Sequence, residues 1–443
     1  MYLSSSPEHY IQEIGRAGRD GRHAKAVALP LTEEVAVRHS LVHSDAICRS
    51  QVKRLVLMLR SMVRKSVANY SAGQIPQGQV HIALPLEEAV IGCDCKPETV
   101  ETLLSLIEQE YEAALHVEGV IYDQATVVLK KRTLAKLADK EKVAASIMNC
   151  STCLDPPIGD ETHNGSNQEG KGGSFRFQRQ FLAYSFGSYA FSVVRCACNL
   201  GPEAEPRHVF ASLRRLQTEN ELELALDTSP SGRALHVRVL KDGIKMFCGS
   251  ESDTNIEDVV DSLVDRLTTA VTSNAEKVLD MMYIMQEVAN ATASKSRDQT
   301  ESISKSEALQ RFQELTENYF DGQGLRKERL EQPLFLSNAF MVPDERDTRL
   351  DFISAIGDAL TLSREQKAKC TSSIPLAIDD PVAQDYASLS ITKFLHGIDT
   401  PRAPASAFRN HNLFGKFREV KFSELRTIVL NYLKSFSNSS SLG

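Results

Sequence analysis

One order of elements occurs twice in this chain, and that repetition constrains the fold more than any single residue does. Residues 80–84 (Val-His-Ile-Ala-Leu) form a short apolar run that reads as a strand. Residues 85–90 read as a helix start, and a turn follows near Gly92 to Pro97. Residues 98–110 carry Val100, Leu103, Leu104 and Ile107 at helical spacing. Residues 114–117 and 126–129 then read as two strands around a turn. The same order returns downstream. Residues 175–177 read as a strand, and 178–184 and 189–198 as helices. Residues 205–218 read as a helix with Val209, Leu213 and Leu216 on one face. Residues 222–226 and 234–240 read as strands across Ser229-Pro-Ser-Gly232, a hairpin turn by composition.

Helix, turn, helix, hairpin is the pattern of a winged helix, so two such modules are expected, at 80–154 and 174–250. Between them, residues 155–173 are rich in Gly, Asn, Asp and Glu and read as a flexible insert. The presumed recognition helix of the second module bears Arg207, His208, Arg214 and Arg215, and a basic helix can hold backbone phosphates. Arg207, Arg214 and Arg215 are the DNA-contact candidates. Winged helices also bind protein, and these residues leave both readings open.

The rest of the chain reads as mainly α with α/β elements. Residues 7–14 read as a helix, with Pro7 in its first turn and Tyr10, Ile11 and Ile14 on one face. Gly18, Asp20 and Gly21 end that segment, and residues 26–31 read as a buried strand. That passage suits the edge of an α/β sheet, so residues 1–45 read as the end of a domain. Residues 46–79 form a helical connector. The helical pattern from residue 33 to about 69 carries Arg49, Lys53, Arg54, Arg60, Arg64 and Lys65. These read as a solvated face or as a docking surface for nucleic acid or a domain. Residues 251–380 are helical with loose linkers, including helices at 309–319 and 348–362. Residues 381–435 read as a small helical domain, built around Pro401, Pro404 and the phenylalanines 408, 414, 417 and 422.

Composition sets limits on partners. The chain has 443 residues and a formal net charge of −7, so any attraction to nucleic acid comes from local patches. No run of eighteen apolar residues occurs, and no membrane span is expected. The first residues lack the basic start and apolar core of a signal peptide. Nine cysteines without a secretory signal are expected as reduced thiols in cytosol or nucleus. Cys150-Ser-Thr-Cys153 has metal-ligand spacing and His163 follows. With Cys93 or Cys95 these are the candidates for a tetrahedral zinc site, against ordinary thiols.

The most specific string is Gln12-Glu-Ile-Gly-Arg-Ala-Gly-Arg-Asp-Gly21. Arginines stay charged and grip phosphate oxygens with a planar fork, and glycines let backbone approach closely. Beside a γ-phosphate such arginines stabilise charge that grows during transfer. The string resembles motif VI of superfamily-two helicases as the RecQ family spells it. Residues 52–56 (VKRLV), 98–108 (ETVETLLSLIE) and 391–425 (ITKFLHGIDTPRAPASAFRNHNLFGKFREVKFSEL) resemble the RecQ-like type-four branch associated with Rothmund–Thomson syndrome.

By that resemblance, residues 1–45 are the tail of a RecA-like lobe, followed by winged-helix domains and a helical C-terminal region. Arg19 is then the arginine finger, Arg16 its companion that touches phosphate or links nucleotide to DNA, and Gln12 a sensor of the nucleotide state. The resemblance implies ATP with Mg²⁺ as cofactors and zinc as a further possibility. The partners it implies are forked or branched duplex DNA, single strands, and other repair and replication proteins. The implied activity is 3′ to 5′ DNA unwinding in repair, recombination and replication, in the nucleus. A P-loop and its carboxylate pair are absent from the sequence. The nearest approach, residues 165–172, ends in Gly172 where Ser or Thr binds metal. The chain alone is therefore expected not to hydrolyse ATP. The alternative expectations are a non-enzymatic DNA-binding module and a protein-interaction scaffold.

Overall fold

The computed structural model describes residues 4–22, 24, 32–68, 78–153, 187–201, 204–249, 252–293, 301–321, 325, 381–401 and 403–440. The chain is mainly helical with small antiparallel sheets. It forms two compact units, one of Met1–Gln51 with Val264–Gly443 and one of Val52–Leu263. The expected strand at 26–31, the strand at 175–177 and the helices at 178–184 and 348–362 lie outside the described residues.

Helix α1 (Pro7–Ile14) and helix α2 (Thr32–Val42) come first, and a 3-10 turn at His43–Asp45 separates α2 from α3 (Arg49–Ala68). The basic helical stretch is thus two helices rather than one. In the Val52–Leu263 unit, α3 buries Val52, Leu55, Val56, Leu59 and Val63, a stripe at helical spacing. Its cations have mixed surroundings. Lys53 pairs with Glu257 at 2.5 Å, whereas Arg64 and Lys65 are exposed.

Strand β1 (Val80–Pro85), α4 (Leu86–Cys93), α5 (Pro97–Glu110) and β2 (Leu115–Tyr122) follow. Helix α4 stops where Asp94 turns left-handed at φ 48°. Helix α5 starts on Pro97, with Glu98 in its first turn, and buries Val100, Leu103, Leu104 and Ile107 completely. Strand β3 (Gln124–Leu129), α6 (Leu134–Ala138), α7 (Lys142–Cys150) and β4 (Thr152–Cys153) lead to β5 (Ser188–Ser192). Then come α8 (Val193–Leu200), α9 (Pro206–Thr218), β6 (Leu222–Leu226), β7 (Arg233–Val239) and α10 (Lys241–Cys248).

The stretch read as one helix at 189–198 is strand then helix. Tyr189 and Phe191 alternate inward as strand residues, and Ser192 caps α8 by accepting from Arg195 N–H at 3.1 Å.

The two expected hairpins do not form. The first sheet has the order β1-β7-β2 and the second β4-β5-β3-β6, all antiparallel. Strand β2 pairs with β7, and β3 pairs with β5 and β6. Each module therefore receives an inner strand of its sheet from the other. The physical reason lies at Asp123, the only residue between β2 and β3. A tight hairpin needs about two loop residues with positive φ, and here the chain runs straight on from one sheet into the other. The returning link lies beside it: Asp123 N–H donates to Gly232 O at 2.9 Å, and Asp227 N–H donates to Gln124 O at 3.0 Å. Ala125, Val127 and Leu129 of β3 consequently fill a core otherwise made by α6 to α9, β5 and β6. In return, β7 buries Leu235, Val237 and Val239, with Val237 opposite Ile82 and Val117. A bulge at Glu118, next to Gly119 at φ 119°, adjusts the β2 register.

In the other unit, the portion of α11 (Ser252–Ala293) from Val264 onward packs with α12 (Glu301–Phe320) through Tyr283, Ile284, Leu315 and Leu325. Met282 and Val278 also bury Ala36 of α2. Helices α13 (Pro381–Leu395), α14 (Ala405–Phe408) and α15 (Phe422–Ser440) enclose Phe394, Leu395, Phe408, Phe417 and Val429. Phe422 belongs to a second cluster with Cys48, Tyr386, Leu389 and Ile398. Gly397 and Gly415, both left-handed, approach each other beneath the Arg418 guanidinium, and Arg418 Nε donates to His396 O at 3.3 Å.

Candidate functional site

The residues of the glycine- and arginine-rich string stand at the end of α1. Ser6 caps that helix by accepting from His9 N–H at 3.3 Å, and Pro7 occupies its first position. Gly15 N–H closes the helix onto Ile11 O at 2.9 Å. The chain then turns through Gly18 at φ 70° and Gly21 at φ 74°, a conformation that side chains other than glycine rarely adopt. Gln12, Arg16 and Arg19 are all exposed on this stretch. Arg22 pairs locally with Asp20 at 3.6 Å, whereas Arg16 and Arg19 make no ion pair among the described residues. Two guanidiniums held this way can accept an anion from outside the chain without first breaking an internal bridge.

The basic helix of the second module gives a mixed result. Glu205 and His208 form a reciprocal capping box at the start of α9, and Val209, Leu213 and Leu216 face the core. Arg207, Arg214 and Arg215 lie on the exposed side. Arg207 pairs with Glu205 at 2.8 Å, and Arg215 pairs with Glu141 at 2.6 Å and Glu219 at 3.5 Å. Arg214 makes no ion pair among the described residues. The corresponding helix of the first module, α5, presents Glu98, Glu101, Thr102, Ser105 and Glu108 along a surface groove, with no cation among its lining residues. The two helices thus differ in surface charge, acidic on α5 and mixed on α9. A cleft of about 750 Å³ also runs between α3, β1 and α8, with Met58 and Met62 on its wall and Lys65 and Arg195 beside it.

Where the strands cross, Asp123 is buried and acts as a cap for α8. Its carbonyl accepts from Val193 N–H at 2.8 Å and its carboxylate from Val194 N–H at 2.8 Å. Burial raises the Asp123 carboxyl above the usual range, while bonds from Ser192, Val194 and Val193 pull it back. Nothing in the local sequence marks Asp123. Its importance comes from strand pairings made about a hundred residues downstream.

Of the candidate zinc ligands, only Cys93, Cys95 and Cys150 have described side chains. Cys93 and Cys95 are buried around the end of α4. Cys150 hydrogen-bonds Cys196 across the α7–α8 contact, which makes the Cys196 thiol the more acidic and raises Cys150. The Cys153 side chain and His163 lie outside the described residues. No group of three His, Cys, Asp or Glu side chains among the described residues is placed to hold a metal ion.

A buried histidine cluster went unread in the sequence. His39 and His43 meet edge-on with centroids 5.0 Å apart, His43 stacks on Phe422 at 4.3 Å, and His396 leans on the same ring at 5.0 Å. Ser40 Oγ and His396 Nδ1 share a hydrogen bond of 2.9 Å. Burial lowers His39 to about 4, and His43 and His396 to about 3. Lys421, Lys393, Arg426 and Arg418 push the same way, and Glu276 opposes them at His39.

No helix among the described residues is long and apolar enough to cross a membrane. No protein-family model matches the chain, and no curated protein matches it.

Proposed function

We propose that this chain works as the ATP-site-completing and DNA-gripping part of a RecQ-type helicase that unwinds DNA 3′ to 5′. The observation that carries this reading is the pair Arg16 and Arg19, exposed and without an ion pair among the described residues, on a turn that Gly18 and Gly21 shape. Arg19 would face the γ-phosphate, Arg16 would hold a neighbouring oxygen, and Gln12 would contact the nucleotide. ATP and Mg²⁺ would be held mainly by a P-loop lobe, which this sequence does not contain. Bound there, they supply the phosphoryl group whose hydrolysis drives movement. The arginines then contribute charge where negative charge grows, a role worth roughly 10³- to 10⁵-fold in turnover.

The two strand-exchanged modules are read as winged helices. Each contains the order strand, helix, helix, strand, with an inner strand of its sheet supplied by the other and, in the second, an extra edge strand β4. DNA contact would fall to α9, with Arg214 as the cation available to phosphate. Forked or branched duplex and single strands are the proposed substrates, in nuclear repair, recombination and replication with other proteins of those processes. The test of the enzyme reading is ATP turnover by a polypeptide that joins this chain to a P-loop lobe of the same family. Arg19→Ala is expected to lower kcat by about 10³-fold or more, and unchanged turnover would defeat the assignment.

The second reading is a non-enzymatic module that binds DNA or protein. It is favoured by the acidic surface of α5 and by the acids already paired with Arg207 and Arg215. Binding of the chain to labelled forked DNA at two salt concentrations separates these cases. Phosphate contact gives affinity that falls steeply with salt, and Arg214→Glu should weaken it. No binding at low salt would leave protein contact as the role of the modules.

A further inference from the structure

Helix α1 is too short to fix its own position. Eight residues make about two turns, and isolated helices of that length are unstable in water. Its direction is set by what holds it, and three side-chain contacts do so. Glu8, in the first turn, accepts a hydrogen bond from the Tyr319 hydroxyl of α12 at 2.9 Å. The same carboxylate pairs with Lys277 of α11 at 3.5 Å. Two residues along, Tyr10 meets Phe312 of α12 edge-on, with centroids 5.9 Å apart. Before the helix, the buried Ser4 Oγ donates to Glu13 at 2.5 Å.

Burial alone would raise the Glu8 carboxyl. Hydrogen bonds from Ser6 and Tyr319 and the charge of Lys277 outweigh it and hold the group ionised. The brace is therefore a charged one. The partners of Glu8 and Tyr10 all lie far downstream, and they converge on the helix capped by Gly15, one residue before Arg16.

We infer that Glu8, Lys277 and Tyr319, with the Tyr10–Phe312 contact, are positioning residues that fix the direction in which Arg16 and Arg19 are presented. This rests on the reading of those arginines as nucleotide ligands, and it adds that the helices at 264–293 and 301–320 govern their presentation. A shift of either helix would move the arginine loop, because the loop has no other described side-chain anchor of its own.

Hydrogen exchange over the intact chain tests this without any nucleotide. Glu8→Lys should raise exchange of amides 9–17 by about tenfold, the effect of removing a hydrogen bond to a charged acceptor. Glu8→Lys combined with Lys277→Glu should bring exchange back to the few-fold rise expected of Tyr319→Phe, because the ion pair is reversed while the acceptor for the Tyr319 hydroxyl is lost. Tyr319→Phe, a milder change, should raise exchange in the same window by a few-fold and leave amides 388–396 unchanged. No rise in either single variant would overturn the inference. So would a rise that the reversed pair does not rescue, or an equal rise at 388–396. Failure of Arg19→Ala to alter ATP turnover would instead defeat the nucleotide reading and leave this exchange pattern standing.

Discussion

Acidification should open the unit that contains the histidine cluster. His39, His43 and His396 are neutral in the fold because charging them there means charging a buried site. In the unfolded chain each titrates near 6.5. A histidine depressed in this way stabilises the fold fully above its unfolded value, and that contribution drains away as pH falls from about 7 towards 4. Between pH 7.5 and 5.0 a group with folded value of 4 or below loses about 2 kcal/mol, from 1.36 kcal/mol per pH unit. Three such groups lose roughly 4–6 kcal/mol. The lower figure applies because part of the depression at His43 is repulsion from His39 and His396, which acts only when those are charged. That is comparable with the whole stability of many domains, about 5–15 kcal/mol. Urea unfolding at pH 7.5, 6.0 and 5.0 reads the slope, and exchange of amides 388–396 reports which unit responds. His396→Gln, which can keep the bond to Ser40, should remove about 2 kcal/mol of the pH dependence. A stability that holds constant or rises towards pH 5, or a slope that His396→Gln leaves unchanged, would refute the reasoning.

Other changes should act at the strand crossing. Asp123→Ala removes the acceptor of a buried Val194 N–H and should destabilise the Val52–Leu263 unit by about 1–3 kcal/mol, measured by denaturant unfolding. Asp123→Asn keeps an acceptor and lifts the burden of a buried charge, so its cost should be under about 1 kcal/mol at pH 7. Gly243→Ala would place a Cβ 2.0 Å from Ala114 O and 2.9 Å from Val239 Cγ1, and should cost about 2 kcal/mol or more in the same assay. Residues 52–153 expressed alone should lack a cooperative transition, because β2 then has no β7, and mixing with residues 187–263 should restore one. Independent folding of the first piece would show that the exchange is dispensable.

The helices were legible where periodicity alone decides them. Val100, Leu103, Leu104 and Ile107 predict the buried face of α5, and Val209, Leu213 and Leu216 that of α9. Pairing partners were not legible, because strand pattern reports which face is buried and not what lies alongside. The turn composition at 229–232 correctly marks a bend, a 3-10 turn at Pro230–Gly232, yet the strands it joins belong to different sheets. The sequence pattern leaves residues 118–125 between the two strands, so the one-residue link at Asp123 emerges only from the structure. The candidate site divides in the same way. Gln12, Arg16 and Arg19 could be named from local spelling, whereas their brace at Lys277 and Tyr319 depends on tertiary contact. Charge on a helix was also an incomplete guide, since Arg207 and Arg215 already have acidic partners that sequence spacing reveals only in part.

The exchanged strands also impose a schedule on synthesis. Strand β2 ends at Tyr122, and the strand it must pair with spans Arg233–Val239, roughly 110 residues later. At about 5–20 residues per second, a ribosome needs roughly 6–20 s to deliver it. Throughout that interval β2 and β1 have no central partner, and their edges can recruit other chains. The charged residues beside them, Glu118 on β2 among them, are then the nascent chain's own protection against misassembly. Slow or interrupted translation between residues 123 and 233 should therefore lower the yield of soluble protein more than the same delay placed after residue 249.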